Sequence, residues 1–160
     1  MRVIGFDPGY GRLGFGVVDS QEGKWRLVSY GTIITHKDDA FLDRLKYIGD
    51  QIKELIDRFK PQEVSVEELF FQKNTKTAMK VAEARGVILY VCAQNNLPTF
   101  EYTPLQVKQS LTGYGKAEKQ QIQEMVKLML RLDKIPKPDD AADAIAIALT
   151  HIQNNKLFRH

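Results

Sequence analysis

The protein is 160 residues long, with 43% hydrophobic and 27% charged residues and a formal net charge of +3. These values are typical of one globular domain, no apolar stretch is long enough to span a bilayer, and the mildly basic charge permits an acidic partner. Asp7 interrupts the first apolar run, which excludes a signal-peptide layout. The only cysteine, Cys92, excludes an intrachain disulfide and a thiolate zinc site. We therefore expect a single cytoplasmic domain spanning residues 1–160.

The first 35 residues favour three antiparallel strands. Residues 3–7 form an apolar run that a Pro-Gly pair ends, which is typical of a buried strand leading into a loop. Residues 13–19 and 25–35 are strand-like and are separated by a turn at 21–23. Residues 9–14 match the dinucleotide pattern G-x-G-x-x-G, but that motif must open a helix, and here a strand follows. We therefore reject a nucleotide site and predict an antiparallel meander.

Beyond Asp38 the pattern is one of alternating helices and strands. Apolar residues recur at helical spacing from Phe41 to Phe59, with Asp38 or Asp39 as the cap and Pro61 as the end. A strand at residues 63–67 follows this helical crossover and should lie parallel to the first strand. The further predicted elements are a helix from about Thr77 to Gln94, a strand near Leu97 to Tyr102, a helix opened by Thr103-Pro104, a helix beyond Gly115 and a helix from Asp139 to about Gln153. Together they predict an α/β fold with a mixed five-stranded sheet, a three-stranded antiparallel meander plus parallel strands, flanked by helices.

Four acidic residues occur where these elements can bring them together. Asp7 and Glu67 end two strands, and ligands in open α/β sheets collect outside the carboxyl ends of strands. Asp140 and Asp143 are three residues apart in the first turn of the last helix, so they share one face. Carboxylates without a supporting histidine or cysteine suit Mg²⁺ or Mn²⁺. Two such ions about 3.5–4 Å apart could hold the attacking and leaving oxygens of a phosphodiester in line.

Two basic clusters accompany the acids. They are Lys73, Lys76, Lys80 and Arg85 after the aromatic pair Phe70-Phe71, and Lys108, Lys116 and Lys119 around the Gly113-Tyr114-Gly115 loop. Glycines, aromatics and lysines beside an acidic metal site favour binding of a phosphate backbone, because an anionic pocket alone would repel nucleic acid.

Each of these features also has a simpler interpretation when it is taken alone. An aspartate before Pro-Gly is often a turn residue that accepts hydrogen bonds from its own backbone. Acids in the first turn of a helix complement the helix dipole, and clusters of lysine are often solvated faces. The combination of four acids and two basic clusters is what favours a functional site.

Six segments carry a resemblance to a known family: IGFDPG, VEELF, KNTKTAMKVAEARG, FEYTPLQVKQ, GKAEKQQIQ and DDAADAIAIA. Over essentially its whole length the sequence resembles the RuvC family of Holliday-junction resolvases. The resemblance implies an RNase H-like fold, a homodimer, and Mg²⁺-dependent paired nicks across a four-way DNA junction. It also implies the RuvA and RuvB branch-migration proteins as partners. Hydrolysis by metal-activated water would leave 5′-phosphate and 3′-hydroxyl ends.

The resemblance also assigns roles to individual residues. The four family acids fall on Asp7, Glu67, Asp140 and Asp143, which would be both catalytic residues and metal ligands. The family's basic DNA contacts fall on Lys108 and Lys119, and its junction-probing aromatic falls on Phe70. With the neighbouring lysines, the predicted DNA-binding residues are Phe70, Lys73, Lys76, Lys108, Lys116 and Lys119.

Three other functions share part of this pattern. An RNase H-like nuclease acting on RNA would carry the same acids but would not need the paired basic segments or a dimer. A sugar-kinase-like or actin-like ATPase also begins with a strand ending in D-x-G, yet needs a second lobe for which 160 residues leave no room. A junction-binding module without activity is disfavoured by the presence of all four acids.

Two further expectations concern the placement of particular side chains. Strand alternation groups Glu67 with Ser65 and places Glu68 on the other face, with Val64 and Val66. If the valines lie in the core, Glu67 is the acid that faces the site. For the dimer, the helix from about Thr77 to Gln94 is the candidate interface, because its alanines and the residues Val87, Ile88 and Val91 offer apolar surface. The alternative for those residues is ordinary core packing.

Overall fold

The computed structural model describes residues 1–69 and 74–157, which contain a five-stranded sheet with helices on both faces. The strands are β1 (Arg2–Asp7), β2 (Arg12–Gln21), β3 (Lys24–Ile34), β4 (Glu63–Glu67) and β5 (Thr99–Tyr102), and the helices are α1 (Phe41–Phe59), α2 (Thr75–Gln94), α3 (Pro104–Thr112), α4 (Lys119–Met129) and α5 (Asp139–Leu157). None of the helices in these ranges combines the length and the apolar character required to cross a membrane.

The sheet has the strand order β3-β2-β1-β4-β5. Strands β1, β2 and β3 form an antiparallel meander, and β1, β4 and β5 run parallel. This arrangement confirms the predicted mixed sheet. Because β1 and β4 are adjacent and parallel, their carboxyl ends lie side by side at one edge of the sheet.

Two hydrophobic cores lie on opposite faces of the sheet. Ile4 and Phe6 of β1 pack with buried residues of α1 and α2. Val3 of β1 packs on the other face, with α3, α4 and α5. Since successive side chains of a strand alternate between faces, Asp7 lies on the same face as Val3. The last residue of β1 therefore faces the helix that carries the two other aspartates.

Helix α5 packs very close to the sheet. A Cβ atom at Gly5 would lie 3.0 Å from the Cβ of Ala148, and one at Gly16 would lie 2.6 Å from Cγ1 of Ile145. The alanines of α5 are buried, as the sequence predicts for a helix that lies close against a sheet. Glycine on the strands and alanine on the helix together permit this approach, which fixes the first turn of α5 beside the end of β1.

The ends of two helices test the predicted caps. Helix α1 has Ala40 as its N-cap, without a side-chain cap, so the predicted cap at Asp38 or Asp39 is wrong. The backbone N–H of Asp39 donates to the oxygen of His36, which places the aspartates in a preceding turn. The predicted cap of α3 is confirmed: Thr103 forms a capping box with Gln106, ahead of the proline at the first helical position.

Helix α2 buries part of the apolar surface that the sequence suggested for a dimer interface. Ile88 is fully buried and Val91 is 7% exposed, and both belong to the core between α1, α2 and the sheet. Core packing is thus the correct interpretation of these residues. Another face of α2 is exposed and carries Met79, Gly86 and Tyr90.

Candidate active site

Three carboxylates converge at the carboxyl end of β1. One oxygen from each of Asp7, Asp140 and Asp143 lies within 4.8 Å of the others. Asp7 is the last residue of β1, Asp140 comes from the first turn of α5, and Asp143 follows three residues later on the same helix. Carboxylate oxygens bind Mg²⁺ at about 2.0–2.1 Å and Ca²⁺ at about 2.3–2.6 Å, so oxygens at this separation can share a cation.

Glu67 adjoins this cluster from the neighbouring strand. It ends β4, and its carboxyl group is hydrogen-bonded to that of Asp7. Val64 and Val66 are fully buried on the α1–α2 side, which confirms the predicted alternation and turns Glu67 towards α5. The structure thus brings all four predicted acids together, three as a compact group and Glu67 beside them.

Burial and mutual repulsion make Asp7, Glu67 and Asp143 hard to ionise. Burial, followed by repulsion from Glu67 and Asp143, raises the pKa of Asp7 to about 9. Burial also raises the pKa of Glu67, although its hydrogen bond with Asp7 lowers this pKa in part. Burial likewise raises the pKa of Asp143, although the nearby charge of Lys119 lowers it in part. A bound cation would remove this penalty by taking the place of the proton that Asp7 and Glu67 share. The oxygen-only donor set suits a hard divalent ion.

Two cations flank the acids from opposite sides. The Nζ atom of Lys119 lies 3.3 Å from Asp143 and 3.5 Å from Asp139. Partial burial lowers the pKa of Lys119, but the two ion pairs outweigh this effect, so the pKa is raised. On the other side, Nε of Arg12 lies 3.7 Å from Asp140. Arg12 was not among the site residues predicted from the sequence. Alternation along β2 could have indicated it, because Arg12 lies on the same face as Gly14, the residue that pairs with Asp7.

The predicted lysines of the α3–α4 region share a groove with the acids. This groove has a volume of about 500 Å³ and is lined by Lys108, Lys116 and Lys119 together with Glu67 and Asp143. We call it the lysine groove. A phosphate chain lying in it would pass directly beside the carboxylates.

The remaining predicted contacts lie around the start of α2. Lys76 is exposed in the first turn of this helix. Phe70 and Lys73 lie outside the described residues, so their predicted roles remain predictions. A smaller pocket of about 220 Å³ extends from the acids to this helix and is lined by Asp7, Pro8, Glu67, Glu68, Leu69, Thr77, Ala78, Val81 and Pro104.

Arg85 has a different role from the one that its position in the basic cluster suggests. Its side chain is only 15% exposed and lies 2.6 Å from Glu101 of β5. Its Nε donates to the backbone oxygen of Glu67 at 3.2 Å. Arg85 therefore braces the ends of β4 and β5 from within the protein, where DNA could not reach it without displacing these contacts.

The geometry agrees with whole-chain comparisons. The family model of the crossover junction endodeoxyribonuclease RuvC matches residues 3–151. The chain belongs to the RuvC family. A family member of Petrotoga mobilis is 49% identical over 160 residues, covering 100% of this chain and 98% of the relative.

Solved structures extend this agreement to the fold. RuvC of Thermus thermophilus in complex with a Holliday junction substrate superposes with a TM-score of 0.94 at 38% identity, covering 99% of this chain and 96% of that chain. The yeast mitochondrial Holliday junction resolvase Ydc2 has a TM-score of 0.72 at 14% identity, over 99% of this chain and 82% of that chain, and it shows the fold alone. The predicted family and the RNase H-like fold are both confirmed. As a RuvC family member the chain is a nuclease, and its acid cluster is the candidate metal site.

Proposed function

We propose that the protein resolves four-way (Holliday) DNA junctions by paired symmetric nicks, in homologous recombination and DNA repair. The observation that carries this proposal is the convergence of Asp7, Asp140 and Asp143 within 4.8 Å in a chain of the RuvC family. The lysine groove beside these acids supplies the positive charge that a phosphate backbone requires. The RuvC of Thermus thermophilus has been solved with a Holliday junction substrate, which supports the same substrate class here.

The proposed cofactor is Mg²⁺, with Mn²⁺ as a substitute and two ions per subunit. Asp7, Glu67, Asp140 and Asp143 would hold these ions, since their oxygen donors suit hard cations. When bound, such ions lower the pKa of water and neutralise charge on the phosphodiester. The products would carry 5′-phosphate and 3′-hydroxyl ends.

The protein's own side chains would bind and orient the DNA around this site. Lys108, Lys116 and Lys119 would hold phosphates in the lysine groove, because a lysine that neutralises a phosphate also releases condensed counterions. Lys76 would extend this contact at the start of α2. Arg85 would keep Glu67 in place by holding the end of its strand. We retain Phe70 and Lys73 as proposed DNA contacts.

We also propose a homodimer, since a junction with near two-fold symmetry must be cut on two opposing strands. The exposed face of α2 is the proposed interface. A Cβ atom at Gly86 would meet nothing within 4 Å in the protomer, although glycine within a helix costs about 1 kcal/mol relative to alanine. Close approach of a second α2 would explain this glycine, and exposed Met79 and Tyr90 would add apolar surface.

The wider setting of this activity is proposed from the family resemblance. The whole chain, residues 1–160, would act as one nuclease domain in the cytoplasm, together with the RuvA and RuvB branch-migration proteins. A buried free thiol at Cys92 is compatible with a reducing compartment.

One experiment tests the proposed activity. The protein is incubated with a synthetic four-way junction, a matched duplex and an RNA–DNA hybrid, each with Mg²⁺ or with a chelator. We expect symmetric nicks in the junction alone, and only with Mg²⁺. Cleavage of the hybrid would favour the RNA nuclease, and binding without cleavage would favour the inactive module. Asp140→Asn, which keeps the size of the side chain, is the matched inactive control.

A further inference from the structure

A second group of cations surrounds the loop between β1 and β2. We call it the β1–β2 surface and define it by Arg12 at the start of β2, Arg44 in α1 and Lys80 in α2. It lies next to the acids, because the loop begins directly after Asp7 and because Arg12 contacts Asp140.

The position of Arg12 is not explained by stability. Its guanidinium lies at the N-terminus of α5, where the helix dipole disfavours a positive charge. Its ion pair with Asp140 is long, at 3.7 Å, and the arginine side chain is 55% exposed. Exposed pairs of this kind contribute little to the free energy of unfolding. An arginine in this place is therefore available to a ligand of the active site.

Arg44 and Lys80 are held by aromatic and hydroxyl groups. The Nζ atom of Lys80 lies 5.6 Å from the ring centre of Tyr10 and 5.3 Å from that of Phe41. The guanidinium carbon of Arg44 lies 5.1 Å from the ring centre of Tyr10. Its Nε donates to Oγ1 of Thr35 at 2.8 Å. These contacts orient both cations without neutralising them.

Neither of these two cations is within ion-pair distance of a carboxylate in residues 1–69 and 74–157. By contrast, two lysines of α1 have carboxylate partners, since Lys46 pairs with Asp50 and Lys53 with Asp57. The β1–β2 surface thus presents positive charge that the described part of the fold leaves unbalanced.

The sheet order places Arg12 across the acids from the lysine groove, and Arg44 and Lys80 adjoin it through Tyr10 of the same loop. Strand β2 lies on one side of β1, and β4 and β5 lie on the other. The lysine groove includes Glu67 of β4 and Pro104, which follows β5, so it lies on the β4–β5 side. Arg12 lies on the β2 side. A DNA strand that entered along the lysine groove and crossed the acids would therefore meet Arg12 next.

We propose that Arg12, Arg44 and Lys80 form a second phosphate-binding surface, which holds the DNA backbone beyond the cleaved phosphate, across the acids from the lysine groove. This inference rests on the proposed function and names a further contact of the same site. The ligand is the sugar-phosphate backbone, and base sequence does not contribute. Cations on both sides of the acids hold the strand at two points and so fix the phosphodiester between them.

The first test measures junction affinity over a range of salt concentrations, with Ca²⁺ in place of Mg²⁺. Arg12→Ala and Lys80→Ala should each weaken binding several-fold and lower the slope of log affinity against log salt by about one. Arg26→Ala is the matched control, since Arg26 forms an exposed ion pair with Asp19 at 3.1 Å near the far end of β2. If both variants match the control in affinity and slope, the inference is overturned.

The second test places the contact on the DNA. Single phosphates on either side of the cleaved bond are replaced by neutral methylphosphonates. When the phosphate on one side of the cleaved bond is neutral, Arg12→Ala should cause no further loss of junction affinity. When the phosphate on the other side is neutral, Lys108→Ala should cause no further loss of affinity. If the affinity losses from Arg12→Ala and from the neutral phosphate were additive at every phosphate position, the proposed contact would be contradicted.

These tests separate the inference from the proposed function. If the unmodified protein neither binds nor cuts the junction, the proposed function fails. If it does both while the Arg12 and Lys80 variants behave like Arg26→Ala, only the β1–β2 surface fails. Thermal melting of each variant checks its fold, and Arg44 is left unchanged because it anchors the loop through Thr35.

Discussion

Gly14 of β2 lies against the backbone oxygen of Asp140, so close that a Cβ atom on residue 14 would overlap it. Gly14 is also the residue that pairs with Asp7 across the sheet. One glycine therefore lets the first turn of α5 approach the end of β1. The distance between Asp140 and Asp7 therefore depends on residue 14 having no side chain.

Replacing Gly14 by Ala should separate these acids. The new methyl group must displace the start of α5, so we expect lower stability, by roughly 1–3 kcal/mol as for other overpacked sites. We also expect a loss of cleavage larger than the loss of junction binding. Gly31→Ala is the control, because its Cβ would meet only the ring of Phe15, which packs on the α1–α2 face of the sheet, opposite to the acids. Denaturant unfolding and single-turnover cleavage of both variants measure the difference, and normal cleavage by Gly14→Ala would contradict it.

The two neighbouring glutamates at the end of β4 should differ in their effects. Glu67 is hydrogen-bonded to Asp7 and faces α5, whereas Glu68 is exposed. Glu67→Gln should abolish cleavage while junction binding survives or tightens, since removing a negative charge beside DNA lowers repulsion. Glu68→Gln should be mild. Junction affinity in Ca²⁺ and single-turnover cutting in Mg²⁺ distinguish them, and an active Glu67→Gln with an inactive Glu68→Gln would reverse the assignment.

The raised pKa of Asp7 predicts how pH affects the metal-free protein. Its folded value of about 9 exceeds the ordinary 3.8, so between these values the folded state keeps a proton that the unfolded chain has lost. The free energy of unfolding should therefore fall as pH rises through this window. Asp7→Asn should make the free energy of unfolding depend less on pH. In chelator it should also raise the melting temperature, more at pH 8 than at pH 5, by about 2–4 °C for each kcal/mol gained in the free energy of unfolding.

The same linkage predicts the effect of added Mg²⁺. Because the metal competes with the proton, the stabilisation by Mg²⁺ should grow with pH in the unmodified protein and should be much smaller in Asp7→Asn. Melting curves at three pH values, with and without Mg²⁺, measure both effects. Parallel pH dependence of the two proteins in chelator would show that Asp7 ionises normally.

The lysine groove should make binding strongly dependent on salt. Lys108→Ala and Lys119→Ala should each lower the slope of log affinity against log salt by about one. Lys119→Ala should reduce cleavage further, because it also leaves Asp143 without its ion pair. Lys53→Ala, on the exposed surface of α1, is the control. An unchanged slope would show that these lysines do not contact DNA and only form part of the solvated surface.

The exposed face of α2 predicts how the dimer can be broken. Gly86→Arg should give a folded monomer, because the side chain at this position extends into open space in the protomer but would block a close partner. Sedimentation at micromolar concentration measures the oligomeric state. The monomer should also make single nicks in place of paired ones. A dimer that persists in Gly86→Arg would place the interface elsewhere.

Much of this architecture follows from local patterns in the sequence. The continuous apolar run of β1 and the helical period from Phe41 to Phe59 reflect which side chains each element buries, and the order of elements then limits the sheet to few topologies. The shared face of Asp140 and Asp143 at the start of α5 and the alternation at Glu67 likewise needed only the geometry of a single helix or strand. The four acids were predictable for this reason.

Other features depended on contacts between segments that are distant along the chain. Arg85 and Lys80 belong to one basic cluster in the sequence, yet Arg85 turns inward to Glu101 while Lys80 covers the ring of Tyr10. Burial of Ile88 and Val91 was decided by α1, which lies across them. Arg12 reached the acids only because glycines in β1 and β2 let α5 lie so close to the sheet. Local periodicity determines which side of its own element a residue occupies, but the packing of elements decides what faces that side.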